Sequence, residues 1–144
     1  FLKIKILVIG SLKEVQFKDK INKYLKWISV DYPIELIPLK DREDKKIIKV
    51  ITKHLSHNDI FICLSEEGIQ HNSVQFSEFI YSSNRNLVFL IAGPDGHSKI
   101  IKEKSDQIIS LSNLTFTHEM ATLILTEQIF RAISIKKGSK YHRA

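Results

Sequence analysis

Cysteine, glycine and proline are scarce in this sequence. Its 144 residues include one cysteine, five glycines and three prolines. The single cysteine, Cys63, cannot form an internal disulfide, and it excludes any metal centre built from several cysteines. Because Cys63 lies in the apolar run DIFICL, we expect a packed, unreactive thiol.

Long hydrophobic runs and targeting segments are also missing. No stretch of about 18 apolar residues is present, so no membrane-spanning helix is expected. The opening FLKIKILVIG is too short and too evenly charged for a signal peptide. No linker rich in proline, glycine or serine divides the chain. The sequence therefore predicts one cytoplasmic domain over residues 1–144, with no membrane partner.

Several common ligand-binding motifs are absent as well. The turn after the first predicted strand reads IGSLKE, with one glycine instead of the three of a dinucleotide-binding turn. A phosphate-binding loop and a G-x-S-x-G nucleophile motif are missing too. No pair of histidines has helical ligand spacing with a third ligand nearby. These absences argue against Rossmann-type hydride transfer, phosphate-loop nucleotide hydrolysis and a bound metal.

Five strand-like runs alternate with five helix-like segments. The strands are predicted at 3–10, 34–39, 59–64, 86–93 and 107–111, and the helices at about 17–28, 47–55, 74–81, 97–104 and 118–135. Ser73 is the expected N-cap of the third helix. Alternating strands and helices predict an α/β fold, a mostly parallel sheet with helices on both faces.

Three of the glycines indicate where a ligand could bind. Gly10, Gly68 and Gly93 are predicted at or just past the carboxyl ends of strands, the edge at which open α/β sheets bind ligands. The alternative is that they are ordinary turn glycines with positive φ. The turn at Gly93 is expected to open a helix whose amino end favours polar or anionic groups.

The carboxyl-terminal tail concentrates positive charge. The chain carries a net charge of +6, and no acidic residue follows Glu127. The basic residues after it are Arg131, Lys136, Lys137, Lys140 and Arg143. With Tyr141 and His142 between them, they suit an RNA backbone and a stacked or flipped base. A solvated terminus is the simpler alternative.

Four segments together resemble the RlmH family of SPOUT-class methyltransferases. They are GPDGHS, SLSNLTFTHEM, TEQIFRAISI and the terminal YHR, and the resemblance extends to KILVIGSLKE and IELIPL. It implies a homodimer with a SPOUT-type carboxyl-terminal trefoil knot, an exception to unknotted topology. It also implies S-adenosylmethionine as methyl donor, no metal and no DNA. The implied substrate is ring nitrogen 3 of a pseudouridine in helix 69 of 23S rRNA, within assembled ribosomes.

The resemblance also implies site residues. The cofactor contacts would be Leu64, Gly93, Ser112, Asn113, Leu114, Thr115, Phe116 and Thr117. The catalytic residues would be Arg131, Tyr141, His142 and Arg143, with the tail closing over a site of the other subunit. One of the two arginines is expected to stabilise an anionic base, while His142 or Tyr141 orients it or relays its proton.

Two departures from the family pattern leave alternatives open. Thr117 stands where a proline is usual, and Thr122 replaces an arginine early in the last helix. A non-catalytic knotted dimer that binds ribosomes or RNA is therefore one alternative. A monomeric flavodoxin-like nucleotide or flavin domain, with no role for the tail, is the other. For His118 we expect a structural role at the start of the last helix.

Overall fold

A computed structural model describes residues 3–82 and 84–143. The strands are β1 (Ile4–Ile9), β2 (Ile34–Leu39), β3 (Asp59–Gln70), β4 (Asn86–Ile91) and β5 (Gln107–Ser110). The helices are α1 (Val15–Ser29), α2 (Asp44–Lys53), α3 (Ser73–Tyr81), α4 (Lys99–Lys104) and α5 (His118–Lys137). Each element lies where the sequence predicts one, with differences at the boundaries.

The strands form one sheet in the order β2-β1-β4-β3-β5, and all neighbouring strands are parallel. In β1, Ile4 and Ile6 face one side of the sheet, while Leu7 and Ile9 face the other. Both sides are covered, which is why the central strands are almost continuously apolar. The α/β prediction of a parallel sheet is confirmed.

Helices cover both faces of the sheet, as predicted. One hydrophobic cluster joins the sheet to α1, α3 and α5 through buried residues such as Ile28, Ile80 and Ile129. The other joins it to α2 and α4 through Ile47 and Ile101. Burying each of these side chains contributes about 1.5–3 kcal/mol to folding. The two clusters therefore hold the helices against the sheet and, with them, the ends of the strands in a defined position.

Strand β3 continues six residues further than predicted. After an irregularity between Leu64 and Ile69, it resumes pairing with β5, where Ile69 lies opposite Ile109. The expectation that Gly68 lies at a strand end is therefore wrong. A Cβ at Gly68 would come within 2.6 Å of the Ile108 backbone, so the two strands approach too closely there for a side chain.

The helices α1 and α2 begin two and three residues earlier than predicted, and the starts of α3 and α4 differ as well. Helix α3 begins at Ser73 itself, and Asn72 caps it in a reciprocal capping box with Gln75, so the assignment of Ser73 as N-cap is wrong. Helix α4 begins at Lys99, capped by the Ser98 hydroxyl, and not at residue 97. The glycine-containing turn at 93–96 consequently does not open a helix directly.

The sulfur of Cys63 is buried inside the sheet, as expected. Its exposed fraction is 0%, and burial raises the pKa of the thiol to about 11. The thiolate form that reacts with electrophiles is therefore rare at neutral pH. None of the described helices is both long and apolar enough to cross a membrane.

Candidate active site

A cavity of ≈ 810 Å³ opens at the edge of the sheet where the parallel strands end. Its walls are the middle of β3 at residues 64–66, the end of β4, the turn 93–96, the loop 111–117 and the first turns of α1 and α5. Strands β3 and β4 are neighbours and Leu64 pairs with Ile91, so residues 64–66 lie beside the segment that follows β4. This is the ligand-binding edge expected for an open α/β sheet.

All but one of the predicted cofactor residues line this cavity. They are Leu64, Gly93, Ser112, Leu114, Thr115, Phe116 and Thr117. The exception is Asn113, which is not part of the wall. Its Oδ1 accepts a hydrogen bond of 2.6 Å from Nε2 of Gln70, so its side chain holds the loop against the end of β3.

The cavity combines apolar surface with free peptide groups. Leu64, Ile91 and Leu111 supply apolar walls. Residues 92–98 and 111–117 belong to neither helix nor strand, so most of their N–H and C=O groups are not committed to regular backbone pairing. A purine ring fits such a site, since its faces need apolar contact and its edge needs peptide hydrogen bonds.

Carboxylates give the cavity a local charge opposite to that of the chain. Glu14, Glu66, Asp95 and Glu119 are among the residues that line the cavity, whereas the whole sequence has a net charge of +6. A negative rim attracts cations. The apolar walls, peptide groups and carboxylates of the cavity therefore fit S-adenosylmethionine, which joins a purine to a cationic sulfur and an ammonium group.

The loop 111–117 is fixed without the usual proline. The Thr117 hydroxyl caps α5 by accepting from the Met120 amide at 3.2 Å. The Ser112 hydroxyl accepts from the Leu114 amide at 3.1 Å. Thr122 is fully buried and donates to the His118 carbonyl at 2.7 Å. Both departures from the family pattern thus have defined packing roles in this chain.

His118 begins α5 and packs against the end of β1, in agreement with the structural role expected for it. Its Nε2 lies 2.6 Å from the carbonyl oxygen of Ser11. Gly10, just before Ser11, has a φ of +117°, and a Cβ there would lie 3.2 Å from the same Nε2. Gly10 is therefore required both by its backbone conformation and by the close approach of the imidazole.

Three of the four predicted catalytic residues meet at the far end of α5. Arg131 forms a two-point contact with Glu127, with Nη2–Oε2 at 2.7 Å and Nε–Oε1 at 3.1 Å. Its Nη1 lies 3.2 Å from Nδ1 of His142. The Tyr141 hydroxyl donates to Glu127 at 3.1 Å, and its ring lies under the guanidinium. Arg143 is exposed beyond them.

Glu127 is the residue at this cluster that sequence reasoning missed. It binds both Arg131 and Tyr141, and it precedes Arg131 by four residues, a spacing that places the two side chains together on a helix. That spacing was the available signal. Burial, with Glu127 and Tyr24 nearby, raises the pKa of Tyr141, so the phenol remains protonated. We call Glu127, Arg131, Tyr141 and His142 the Arg131 cluster.

The Arg131 cluster does not reach the cavity within one chain. None of the four predicted catalytic residues, Arg131, Tyr141, His142 and Arg143, is part of its wall. Ala121 is the last residue of α5 that lines the cavity, and Arg131 lies 10 positions later on the same helix, which corresponds to about 15 Å at 1.5 Å per residue. The described chain therefore separates a ligand cavity from a group of residues suited to acid–base chemistry.

Comparison with known proteins identifies the family. A family model described as "Predicted SPOUT methyltransferase" matches residues 2–142. The chain belongs to the SPOUT methyltransferase family. It is 45% identical to the "Ribosomal RNA large subunit methyltransferase H" of Prochlorococcus marinus (strain MIT 9301), over 99% of this chain and 96% of the relative. The protein of the same name from Dictyoglomus thermophilum is 37% identical, over 98% and 99%.

A solved structure has a similar fold. A probable methylase family protein from Haemophilus influenzae Rd KW20 superimposes with a TM-score of 0.59, covering 98% of this chain and 70% of that chain, at 12% identity. The family resemblance seen in the sequence motifs is confirmed, and the flavodoxin-like alternative is wrong. As a SPOUT methyltransferase, the chain is expected to use S-adenosylmethionine as methyl donor. No group of three or more metal-ligating side chains occurs in the described ranges.

Proposed function

We propose that this SPOUT methyltransferase transfers a methyl group to ring nitrogen 3 of a pseudouridine in helix 69 of 23S rRNA, on assembled ribosomes. The observation that carries the proposal is its similarity, over nearly the whole chain, to relatives named ribosomal RNA large subunit methyltransferase H. The net charge of +6 suits an RNA substrate. A cytoplasmic location follows from that substrate.

The cavity is the proposed site of the methyl donor. When bound, S-adenosylmethionine supplies a methyl group on a cationic sulfur. The turn 93–96 and the loop 112–117 would hold it, with Leu64 beneath. Methyl transfer needs the nucleophile in line with the sulfur–carbon bond, so these residues contribute mainly by positioning. The apolar walls also keep water from the reacting atoms.

The Arg131 cluster supplies the groups that the base requires. An imide nitrogen is a poor nucleophile until it loses its proton, and a guanidinium, which stays charged, stabilises the anion. Since Arg131 only donates, the Nδ1 of His142 that faces it accepts, which leaves the proton of the neutral ring on Nε2. Tyr141 or His142 then orients the base or relays its proton. Arg143 is the alternative cation.

The distance between the two regions supports a homodimer. With Arg131 about 15 Å along α5 from Ala121, the nearest cavity residue of that helix, we propose that residues 139–144 close over the cavity of a second copy. Aromatic side chains beside the cluster are available for such a contact, since Trp27 is 40% exposed and Tyr141 37%. The proposal includes the trefoil knot and a single domain over residues 1–144, with no DNA or membrane partner.

A labelled-methyl assay tests the proposal. The purified protein is mixed with labelled S-adenosylmethionine and ribosomes that lack this modification, and the nucleosides of the 23S rRNA are then analysed. We expect label as 3-methylpseudouridine, and none on ribosomes that already carry the methyl group. Donor binding without transfer would instead support the non-catalytic RNA-binding dimer. A protein that neither binds the donor nor transfers the methyl group would contradict the methyltransferase proposal and the RNA-binding alternative alike.

A further inference from the structure

Two consecutive residues of α5 hold a segment more than 100 positions away. The carboxylate of Glu119 accepts hydrogen bonds from the backbone amides of Lys13, at 3.3 Å, and Glu14, at 3.1 Å. His118 contacts the Ser11 carbonyl at 2.6 Å. The Glu119 side chain is largely buried, with 9% of the residue exposed. Residues 11–14 are thus fastened to α5 by specific polar contacts.

The start of α1 depends on these contacts, because it has no side-chain cap of its own. Its N-cap residue, Glu14, makes no side-chain hydrogen bond to the helix. Glu119 instead fixes the two peptide groups immediately before α1. Its carboxylate lies close to the amino ends of both α1 and α5, where the partial positive charge of a helix favours an anion.

This fastening bears on the cavity, since the start of α1 forms part of its wall. Glu14 and Phe17 both line the cavity, as does the loop that carries most of the predicted cofactor residues. A shift of the segment 11–17 would change the width of the site. Glu119 also lines the cavity, and its carboxylate oxygens are the ones that hold the Lys13 and Glu14 amides.

We propose that Glu119 is a positioning residue for methyl-donor binding. By holding the segment 11–17 it sets one wall of the cavity before the donor arrives, so that the donor finds a preformed site. The inference rests on the proposed function, because it takes the cavity as the donor site. It predicts that Glu119 affects donor affinity far more than the rate of the chemical step.

The test uses Glu119→Ala and Glu119→Gln, with Glu78→Ala as the matched control, since Glu78 is an exposed helical carboxylate on α3. Calorimetry measures the affinity for S-adenosylmethionine and for S-adenosylhomocysteine, which lacks the positive charge on sulfur. Hydrogen exchange measures the protection of the amides in the segment 11–17. A single-turnover assay on ribosomes gives the transfer rate at saturating donor.

We expect Glu119→Ala to weaken binding of both ligands about tenfold, with a transfer rate within about twofold of the unmodified protein. Glu119→Gln keeps an oxygen that can accept one of the two amides, so it should weaken both about threefold. Exchange in the segment 11–17 should rise in both variants. Glu78→Ala should leave the affinities and the exchange unchanged.

Three results would overturn the inference. Unchanged exchange in the segment 11–17 would show that Glu119 does not hold it. Unchanged affinity alongside faster exchange would show that the segment does not set the donor site. A loss confined to S-adenosylmethionine would indicate a direct charge contact with the sulfur.

If Glu119→Ala fails to fold, the Glu119→Gln variant decides between these results. An unmodified protein that binds neither ligand would contradict the proposed function, while the exchange data would still decide whether Glu119 fastens this segment.

Discussion

The cavity and the Arg131 cluster are built in different ways. Segments from both halves of the chain form the cavity, and it lies where the parallel strands end. The Arg131 cluster needs only one face of α5 and the tail, and its groups are partly exposed. A single chain therefore contains a formed ligand cavity, whereas its acid–base groups face outward. Under the proposed function, binding of the methyl donor and activation of the base should therefore be separable by mutation.

The two regions also differ in how much their contacts contribute to the stability of the fold. The Glu127–Arg131 pair has side-chain exposures of 21% and 23%, and helical pairs of this spacing contribute only about 0.3–0.5 kcal/mol to stability. Its two-point geometry fixes the direction of the guanidinium, which is of more use to catalysis than to folding. The cavity walls, in contrast, continue into the buried core. Changes at the cluster should therefore alter activity with little effect on stability.

Deleting residues 139–144 should have the largest effect. It removes Tyr141, His142 and Arg143, so we expect methyl transfer to fall by roughly 1,000-fold or more, as when catalytic groups are removed. The affinity for S-adenosylmethionine should stay within about twofold, because the cavity of each chain remains. Transfer is measured with labelled donor, and affinity by calorimetry. Activity that survives the deletion would exclude the tail from catalysis.

Glu127→Gln should lower activity without changing donor affinity. The variant keeps the size of the side chain but loses the charge that holds Arg131 and orients Tyr141, so kcat should fall about 10-fold to 100-fold. Donor affinity should not change, and the free energy of unfolding should fall by less than about 1 kcal/mol. Steady-state kinetics and urea denaturation provide the measurements. Glu78→Gln is the control, because Glu78 is an exposed carboxylate on α3. A normal kcat would leave Glu127 without a role in the reaction.

Burial of His97 predicts a pH dependence of folding stability that does not involve the Arg131 cluster. Burial lowers the pKa of His97 to about 4, although the nearby Leu64 and Leu90 backbones favour the protonated form. Neither ring nitrogen has a hydrogen-bond partner among the described residues. Below about pH 6.5 the unfolded chain takes up a proton that the folded protein does not. The free energy of unfolding should therefore fall by about 2 kcal/mol between pH 7 and pH 5.

His97→Leu should remove most of this dependence, whereas His57→Gln, at an exposed position, should preserve it. Urea denaturation at pH 7 and at pH 5 measures the difference for each variant. If the His97→Leu variant loses as much stability between pH 7 and pH 5 as the unmodified protein does, other groups cause the pH dependence. This change acts on folding only, so it is the smallest of the three in its effect on transfer.

The sequence was sufficient to predict the sheet and most of the cavity. Strands such as β1 and β4 are almost continuously apolar because both of their faces are buried, and this pattern is visible without a structure. The extension of β3 over SEEGIQ was not predictable in this way. Those residues are polar, and they form a strand only because β5 lies beside them.

The arrangement of the site was harder to predict than its members. Thr117 and Arg131 are only 14 positions apart in sequence, but the rigid helix α5 separates them by about 20 Å. The side chain of Asn113 faces Gln70 instead of the cavity, and nothing in its immediate sequence context indicates that direction. Glu127 carried the right spacing, yet such pairs are usually solvent-exposed features of ordinary helices.

Mixing two inactive chains tests most directly whether the active site is shared between copies. One chain lacks residues 139–144, and the other carries Ala121→Trp, which places a large ring in the wall of the cavity. Circular dichroism checks that both chains fold, and each alone should be inactive. In an equal mixture, half of the dimers combine the two chains and hold one complete site, so we predict about a quarter of the unmodified activity. Mixed dimers without transfer would contradict the account, because the Arg131 cluster would then have to serve the cavity of its own chain.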